Sequence, residues 1–498
     1  MRYVLNSEEM KQCDKNTMEH YGLPSAVLME RAAYSVYEEI TKEKPDTGTT
    51  VLIACGAGNN GGDGFALARL LYLKGYPVDI LFAGKEDKTS IEAKRQLTIV
   101  RNYEIPLFTE LPKKEYDVIV DSLFGIGLCR NIEGDYADLI EKLNVMEGYK
   151  VAVDICSGLS ADDGAVMGVA FRADLTVTFG FAKLGHLLFP GAAYSGRVTV
   201  KDIGIDEMSL LSVKPKAGVL DTEDFYMLPK RKSRTNKGSY GKLLIFAGSR
   251  NMAGAAAFSA RAAYSSGSGL VRVVTEESNR EIIQTLVPEA ILTTYDMDTD
   301  MDRLVQEILP WADAIVAGPG IGIHSQAENL IRAILKYAKV PCVLDADGLN
   351  LIAEHKDWLW EKKAPVIVTP HLGEMSRLCG MSIPEIQNNL ISVAGEFAKK
   401  YQVVTVLKDA RTVISLPEGF FYINTSGNNG MATGGSGDVL TGVIGSFLGQ
   451  KMDVKKAAPL SVFIHGMAGD VTAERYGKAG LMASDLIEGI REVLKEGM

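Results

Sequence analysis

The sequence predicts an α/β protein of two domains, each with a mostly parallel sheet. Three observations predict it. The chain has 498 residues, too many for one hydrophobic core. Short β-branched runs alternate with helical stretches in both halves, the pattern of strands joined by helical crossovers. The 50 glycines cluster just after predicted strands, where tight turns and backbone-built ligand sites need them.

In order along the chain, residues 7–19 and 24–41 read as two leading helices, with Ser7 as the expected N-cap. Residues 51–55, 78–82, 118–121 and 151–155 read as strands, and 63–73 and 136–143 as amphipathic helices between them. Beyond Gly204 the periodicity fades, and a basic run, Lys230-Arg231-Lys232-Ser233-Arg234, follows. That run reads either as a phosphate holder or as a solvated strap. A second series of strands then begins at 242–247 and continues at 271–275, 314–317, 343–345, 366–369 and 403–407. The seam falls near residue 215, giving domains 1–214 and 215–498, with no internal repeat.

Composition narrows the function classes. Hydrophobic content of 46% with 23% charged residues suits a globular protein. A net charge of −10 gives no support to nucleic-acid binding. The N-terminus lacks a signal-peptide core, and no run reaches the roughly 18 apolar residues of a membrane span. Six scattered cysteines without Cys-x-x-Cys indicate neither zinc nor a disulfide framework. The expectation is a cytoplasmic homo-oligomer acting on small molecules.

The first candidate site follows the 51–55 strand. Gly56, Gly58 and Gly61 satisfy G-x-G-x-x-G between a strand and a helix, as a dinucleotide site requires. Asp63, expected in the helix's first turn, would repel a pyrophosphate there. Asp121 opens a second glycine loop, and Asp154 opens the turn Asp154-Ile155-Cys156-Ser157-Gly158. Three acids and two side-chain amides at neighbouring strand ends are hard donors for K⁺ or Mg²⁺.

Residues 55–69, 121–131 and 154–157, with Leu28-Met29-Glu30, resemble the NAD(P)H-hydrate epimerase family. The resemblance implies a Rossmann-like three-layer domain in which Asn59, Asn60, Gly61, Gly62 and Asp63 hold a hydrated nicotinamide dinucleotide. Gly125, Ile126, Gly127, Leu128, Cys129, Arg130 and Asn131 would join them, with Tyr136 and Asp154. It also implies K⁺ on Asn60, Asp121 and Ser157. Arg31 stands where the family usually has asparagine, and Cys156 where it commonly has proline. Hydration leaves a hydroxyl on C6, beside the ring nitrogen. That nitrogen expels the oxygen once it is protonated, and re-addition from the other face inverts the centre. Asp154, partly desolvated, is the expected catalyst, first acid and then base.

The second candidate site is stronger. Gly434, Gly435 and Gly437 precede Asp438 and an apolar helix. Main-chain N–H groups at a helix N-terminus bind phosphate, and an aspartate there can take a proton from a substrate hydroxyl. The segments 318–322, 345–350 and 369–375 also follow strands. Glu374 and Asp345 are expected to orient Mg²⁺ through water.

This half resembles the ribokinase-like superfamily and, within it, the ADP- or ATP-dependent NAD(P)H-hydrate dehydratases. The resemblance implies that Ala255, Gly322, His371 and Asp438 contact the hydrate. Lys408, Asp409, Ala410, Arg411 and Thr412 would hold the nucleotide, together with Asn428, Asn429, Gly430, Met431, Ala432, Thr433, Gly434, Gly435, Ser436 and Gly437. Mg²⁺ with ADP (or ATP) is the implied cofactor; fused enzymes of this kind point to ADP. The family's lysine is commonly followed by glycine, whereas here Asp409 follows Lys408. The expected function is repair of hydrated NADH and NADPH: epimerisation of the R and S hydrates at C6, then dehydration of the S form. Asp154 and Asp438 are the expected catalytic residues. The alternative is a kinase for a hydroxymethyl-pyrimidine or a sugar, which gives the first domain only nucleotide binding. A scaffold module and a dehydrogenase are the remaining rivals.

Overall fold

The computed structural model describes residues 1–231 and 233–497, so Lys232 of the basic run lies outside the described residues. The chain divides into two compact units, Tyr3–Lys216 and Ala217–Met498, the latter taking in Met1–Arg2.

In the first unit seven parallel strands run in the order Leu107–Phe108, Val78–Phe82, Val51–Cys55, Val118–Ser122, Tyr149–Val153, Leu175–Phe179 and Arg197–Lys201. Alternate residues of one strand enter two separate cores: Val51, Ile53 and Cys55 pack on one face, Leu52 and Ala54 on the other. Period-2 alternation with both faces buried is what a three-layer sheet demands. The helices Ser25–Glu43 and Asn59–Leu73 cover the first face, and Asp135–Val145 covers the second. A small parallel ladder pairs Val4 and Leu5 with Ala182 and Lys183.

Several boundaries differ from the sequence pattern. The helix Ser7–Glu19 is capped by Asn6, whose side chain accepts the Glu9 N–H while the Glu9 carboxylate accepts the Asn6 N–H. Ser7, the expected cap, instead donates its N–H and hydroxyl to Asp162. The helix Asn59–Leu73 starts directly after Gly58, which places Asp63 in its second turn rather than its first. The strand Tyr149–Val153 stops short of the predicted 155 because Asp154 takes a φ of +65°. A β-strand cannot continue through left-handed backbone.

The second unit has a ten-strand sheet. Its parallel part runs Ile291–Tyr295, Leu270–Glu276, Lys242–Phe246, Ala314–Ala317, Cys342–Leu344, Val366–Val368 and Val404–Leu407. Two antiparallel strands absent from the sequence reading, Val413–Ser415 and Phe421–Ile423, follow, and Ala217–Val219 lies beyond them. The helices Ala253–Ser265, Ser436–Gly449 and Val454–Tyr476 pack with the sheet in one large core. Of the basic run, Arg231 stacks over Tyr240 at 4.3 Å and donates to Gly267 O, the behaviour of a strap.

The helices Ala253–Ser265 and Ser436–Gly449 approach so closely that a Cβ on Gly442 would lie 2.2 Å from Ser259 O. Alanine ordinarily favours a helix interior over glycine by about 1 kcal/mol. Gly442→Ala is expected to reverse that sign and cost about 1–3 kcal/mol through overpacking, read as a lower midpoint in urea unfolding.

Candidate active sites

In the first unit the loops leave the carboxyl ends of three adjacent parallel strands, Val51–Cys55, Val118–Ser122 and Tyr149–Val153. The glycines are there because backbone crosses backbone. A Cβ on Gly56 would lie 2.0 Å from Leu123 O, and one on Gly61 would lie 2.0 Å from Gly56 O. A cavity of about 630 Å³ opens at this edge. Asn59, Asn60, Asp63, Tyr136, Asp154 and every residue from 125 to 130 line it. Gly61 and Gly62 are buried beneath the wall and Asn131 is exposed outside it, so the structure does not bring these three to the cavity. Asp14 and Lys183 do reach it, and no motif announced them.

Lys183 is 1% exposed and its ammonium is saturated. It donates to Asp154 Oδ1 at 2.6 Å, Thr178 Oγ1 at 2.7 Å and Phe179 O at 3.2 Å. Thr178 donates its own proton to the same Asp154 oxygen, at 2.9 Å. His186 Nδ1 accepts the Lys183 main-chain N–H, which leaves Nε2 to donate to Asp154 O at 3.0 Å and brace the left-handed residue. Burial pushes His186 down to about 4, with Lys183 adding, so the ring is neutral. Burial alone would raise Asp154, but the Lys183 ammonium outweighs it and holds the carboxyl below its usual range. The ammonium beside Asp154 thus favours its charged form, opposing the effect of desolvation.

Asp121 is fully buried beside this cavity. Its oxygens accept Ser157 N–H at 2.7 Å, Ser157 Oγ–H at 2.6 Å and Leu123 N–H at 3.2 Å. Asn60 Nδ2 donates to Phe124 O, and the Ser157 hydroxyl lies 3.4 Å from that same carbonyl. Asn60, Asp121 and Ser157 therefore come together, and among the described residues no Lys or Arg pairs with the buried carboxylate.

In the second unit the predicted segments meet at the carboxyl ends of Ala314–Ala317, Cys342–Leu344, Val366–Val368 and Val404–Leu407. The 318–322 turn packs on Ala255, and Gly322 N–H donates to Asp347 at 2.9 Å. His371 caps the helix Leu372–Cys379 through Nδ1, and Glu374 accepts the His371 N–H at 2.8 Å. The loop holding Asn428 is pinned by Asp470, which accepts Gly427 N–H and Asn428 Nδ2–H. Arg411 donates to Thr425 O and Asn424 N–H to Thr412 O, which joins the 408–412 segment to that loop.

Lys408 departs from expectation. Its ammonium lies 2.9 Å from Asp345 Oδ1, and Thr441 donates to Asp345 Oδ2 at 2.7 Å. Asp345 thus accepts from Lys408 and Thr441, and Glu374 from the His371 N–H. Among the described residues no three His, Cys, Asp or Glu form a metal site. Over the Lys408–Asp345 pair begins the helix Ser436–Gly449. Gly435, with φ +90°, offers no side-chain cap, and Asp438 sits in the first turn. Burial pushes the Asp438 carboxyl up to about 7, with Asp345 adding and Lys408 opposing.

Comparison with known proteins agrees with this division. The family described as NAD(P)H-hydrate dehydratase matches residues 243–492, and the YjeF-related protein N-terminus matches residues 25–185. The bifunctional NAD(P)H-hydrate repair enzyme Nnr of Thermofilum pendens is 35% identical, covering 99% of this chain and 96% of that protein. The enzyme of the same name in Escherichia coli is 34% identical over 99% and 94% respectively. The crystal structure of the ADP/ATP-dependent NAD(P)H-hydrate dehydratase from Bacillus subtilis, co-crystallised with ATP/Mg²⁺, is 30% identical with a TM-score of 0.51. It covers 56% of this chain and 98% of that one. A ribokinase-like superfamily protein from Enterococcus faecalis is 27% identical with a TM-score of 0.50, covering 57% and 96%.

A carboxyl raised from 3.8 to about 7 by burial makes the folded state bind its proton more tightly than the unfolded chain does. The resulting cost to stability is absent below the unfolded value and complete above the folded one. Asp438→Asn is therefore expected to melt higher than the native chain at pH 8, and that gap is expected to close on acidification toward pH 4. Calorimetry across that range measures it.

Proposed function

The chain belongs to the bifunctional NAD(P)H-hydrate repair enzymes, with an epimerase and a dehydratase domain, and we propose that Asp154 and Asp438 are the carboxylates at which the two reactions run. The observation that carries the reading is Asp438 in the first turn of an uncapped, glycine-started helix, directly above the Lys408–Asp345 pair.

In the dehydratase half, Asp438 takes the proton of the C6 hydroxyl as that oxygen attacks the terminal phosphoryl group of ADP or ATP. N–H groups of the helix's first turn stabilise the charge on the transferred group. The phosphate ester then leaves far more readily than hydroxide, and the nicotinamide double bond is restored. Mg²⁺ would come with the nucleotide and would supply positive charge to its phosphates. Lys408 acts on the base rather than the nucleotide. It opposes the rise in the Asp438 carboxyl and keeps part of it ionised near neutrality.

In the epimerase half the substrate occupies the 630 Å³ cavity, and Asp154 meets the water that adds to C6. Asn60, Asp121 and Ser157 would hold K⁺. A buried carboxylate without a cationic side chain, amid a hydroxyl, an amide and a main-chain carbonyl, fits a weakly hydrated monovalent ion. When bound, K⁺ supplies the missing positive charge that fixes the 121–125 loop.

Recovery of the near-ultraviolet absorbance of reduced nicotinamide from mixed hydrate epimers, with ADP or ATP, tests the assignment. Asp438→Asn is expected to abolish recovery, and normal turnover of that variant would sink the reading. Asp154→Asn is expected to recover one epimer at the native rate and the other only as fast as it converts spontaneously. A general base must be ionised, so dehydration is expected to accelerate as pH rises through about 7. Lys408→Met is expected to move that inflection upward. Replacing K⁺ by a large organic cation is expected to slow epimerisation and leave dehydration of the S hydrate unchanged.

A further inference from the structure

The cavity of the first unit contains more acid than the reaction has so far used. Asp14, Asp63 and Asp154 all line it, on the helices Ser7–Glu19 and Asn59–Leu73 and at the end of the strand Tyr149–Val153. One buried cation, Lys183, faces them, and its three hydrogens go to Asp154, Thr178 and Phe179 O. Among the described residues the side chains of Asp14 and Asp63 make no hydrogen bond or ion pair, so Asp154 alone is neutralised.

We propose that Asp63 is the acid of the epimerisation, and that Lys183 and Asp14 are positioning residues that keep the proton on Asp63 and off Asp154. This rests on the epimerase reading of the cavity. Three half-buried carboxyls around one ammonium resist all being charged at once. The bonded geometry decides which one keeps a proton. Asp154 receives an ammonium at 2.6 Å and a hydroxyl at 2.9 Å, while Asp63 receives nothing. Burial raises Asp63 well above its usual range, and Asp154 and Asp14 add to that. Burial likewise pushes Asp14 up to about 6, with Lys183 opposing and Asp154 adding.

The other charged groups on the wall are Lys11, Glu92 and Arg130, with the Tyr136 phenol. Behind the wall lie the neutral His186 and the buried Cys55 thiol, raised by burial and by Asp63. Chemically, Asp63 gives its proton to the C6 hydroxyl and the C6–O bond breaks with its electron pair leaving on water. The ring nitrogen's lone pair forms the N1–C6 double bond. Water adds to the opposite face, and its proton passes to the Asp154 carboxylate and back through the cluster to Asp63. The three carboxyls, which began with one proton among them, end with one, and Lys183 stays an ammonium throughout. The carboxylate–lysine pair also explains why Lys183 stands on a strand residue registered against Leu5: the strand that leads into the Asp14 helix fixes both positioning groups.

The experiment follows interconversion of a single purified hydrate epimer by chromatography, without nucleotide, across pH, on the full-length protein. The native chain is expected to lose rate as pH rises through the titration of Asp63. Asp63→Asn is expected to lose about 10²–10⁴-fold, the usual worth of a positioned acid, while dehydrating the S hydrate normally. Asp14→Asn, nearly isosteric, removes a neighbouring negative charge, so its high-pH limb is expected to fall at lower pH. Lys183→Met frees Asp154 to bind a proton, so its low-pH limb is expected to move upward. An unshifted profile in Asp14→Asn, or native epimerisation in Asp63→Asn, overturns the proposal. Absence of any interconversion above the spontaneous rate in the native chain overturns the epimerase reading itself, a distinguishable result.

Discussion

Each half of this protein is organised around one buried lysine–aspartate pair. Lys183 holds Asp154 and Lys408 holds Asp345, at 2.6 and 2.9 Å, and a threonine hydroxyl completes each carboxylate, Thr178 in one case and Thr441 in the other. Such pairs contribute little net stability, because desolvating both ions costs about as much as their attraction returns. Their effect falls on the neighbour. Beside each pair stands a carboxyl for which, among the described residues, no ion pair is seen, Asp63 in one site and Asp438 in the other; burial raises both, and a charge of the neighbouring pair modifies that rise.

On the proposed roles, the two halves use their carboxyls in opposite senses. Expelling hydroxide requires an acid, which a carboxyl well above its usual range supplies. Attack by an alcohol on phosphate requires a base that is ionised near neutrality yet still basic, which a carboxyl near 7 supplies. Burial raises both carboxyls; Asp154 and Asp14 add to that rise at Asp63, whereas Lys408 opposes it at Asp438.

Features encoded locally were readable in the sequence. Parallel strands buried on both faces, the glycine loops and the acids at strand ends all follow from short-range patterning, and the loops converge because consecutive parallel strands must share an edge. What escaped notice depends on distant partners. Lys183 belongs to a two-residue strand that exists only because Leu5 pairs with it. Asp14 sits on an ordinary amphipathic helix, where an acid reads as a solvated face. The contact of Lys408 with Asp345, which the strand Cys342–Leu344 brings within reach, could not be read from the sequence. Sequence also misjudged one-residue effects: Asn6 rather than Ser7 caps the first helix, and the left-handed Asp154 ends its strand early.

That last residue joins backbone to chemistry. Left-handed backbone at an aspartate costs on the order of 1–3 kcal/mol unless its surroundings enforce it. Here His186 holds the Asp154 carbonyl while Lys183 holds the carboxylate. Because His186 accepts the Lys183 N–H on its other nitrogen, the ring, the lysine and the aspartate lock one another. Charging the ring would remove that acceptor, and burial prevents it. The strain at Asp154 falls where a carboxylate leaves the strand and enters the cavity, and the groups that fix its conformation also fix its charge.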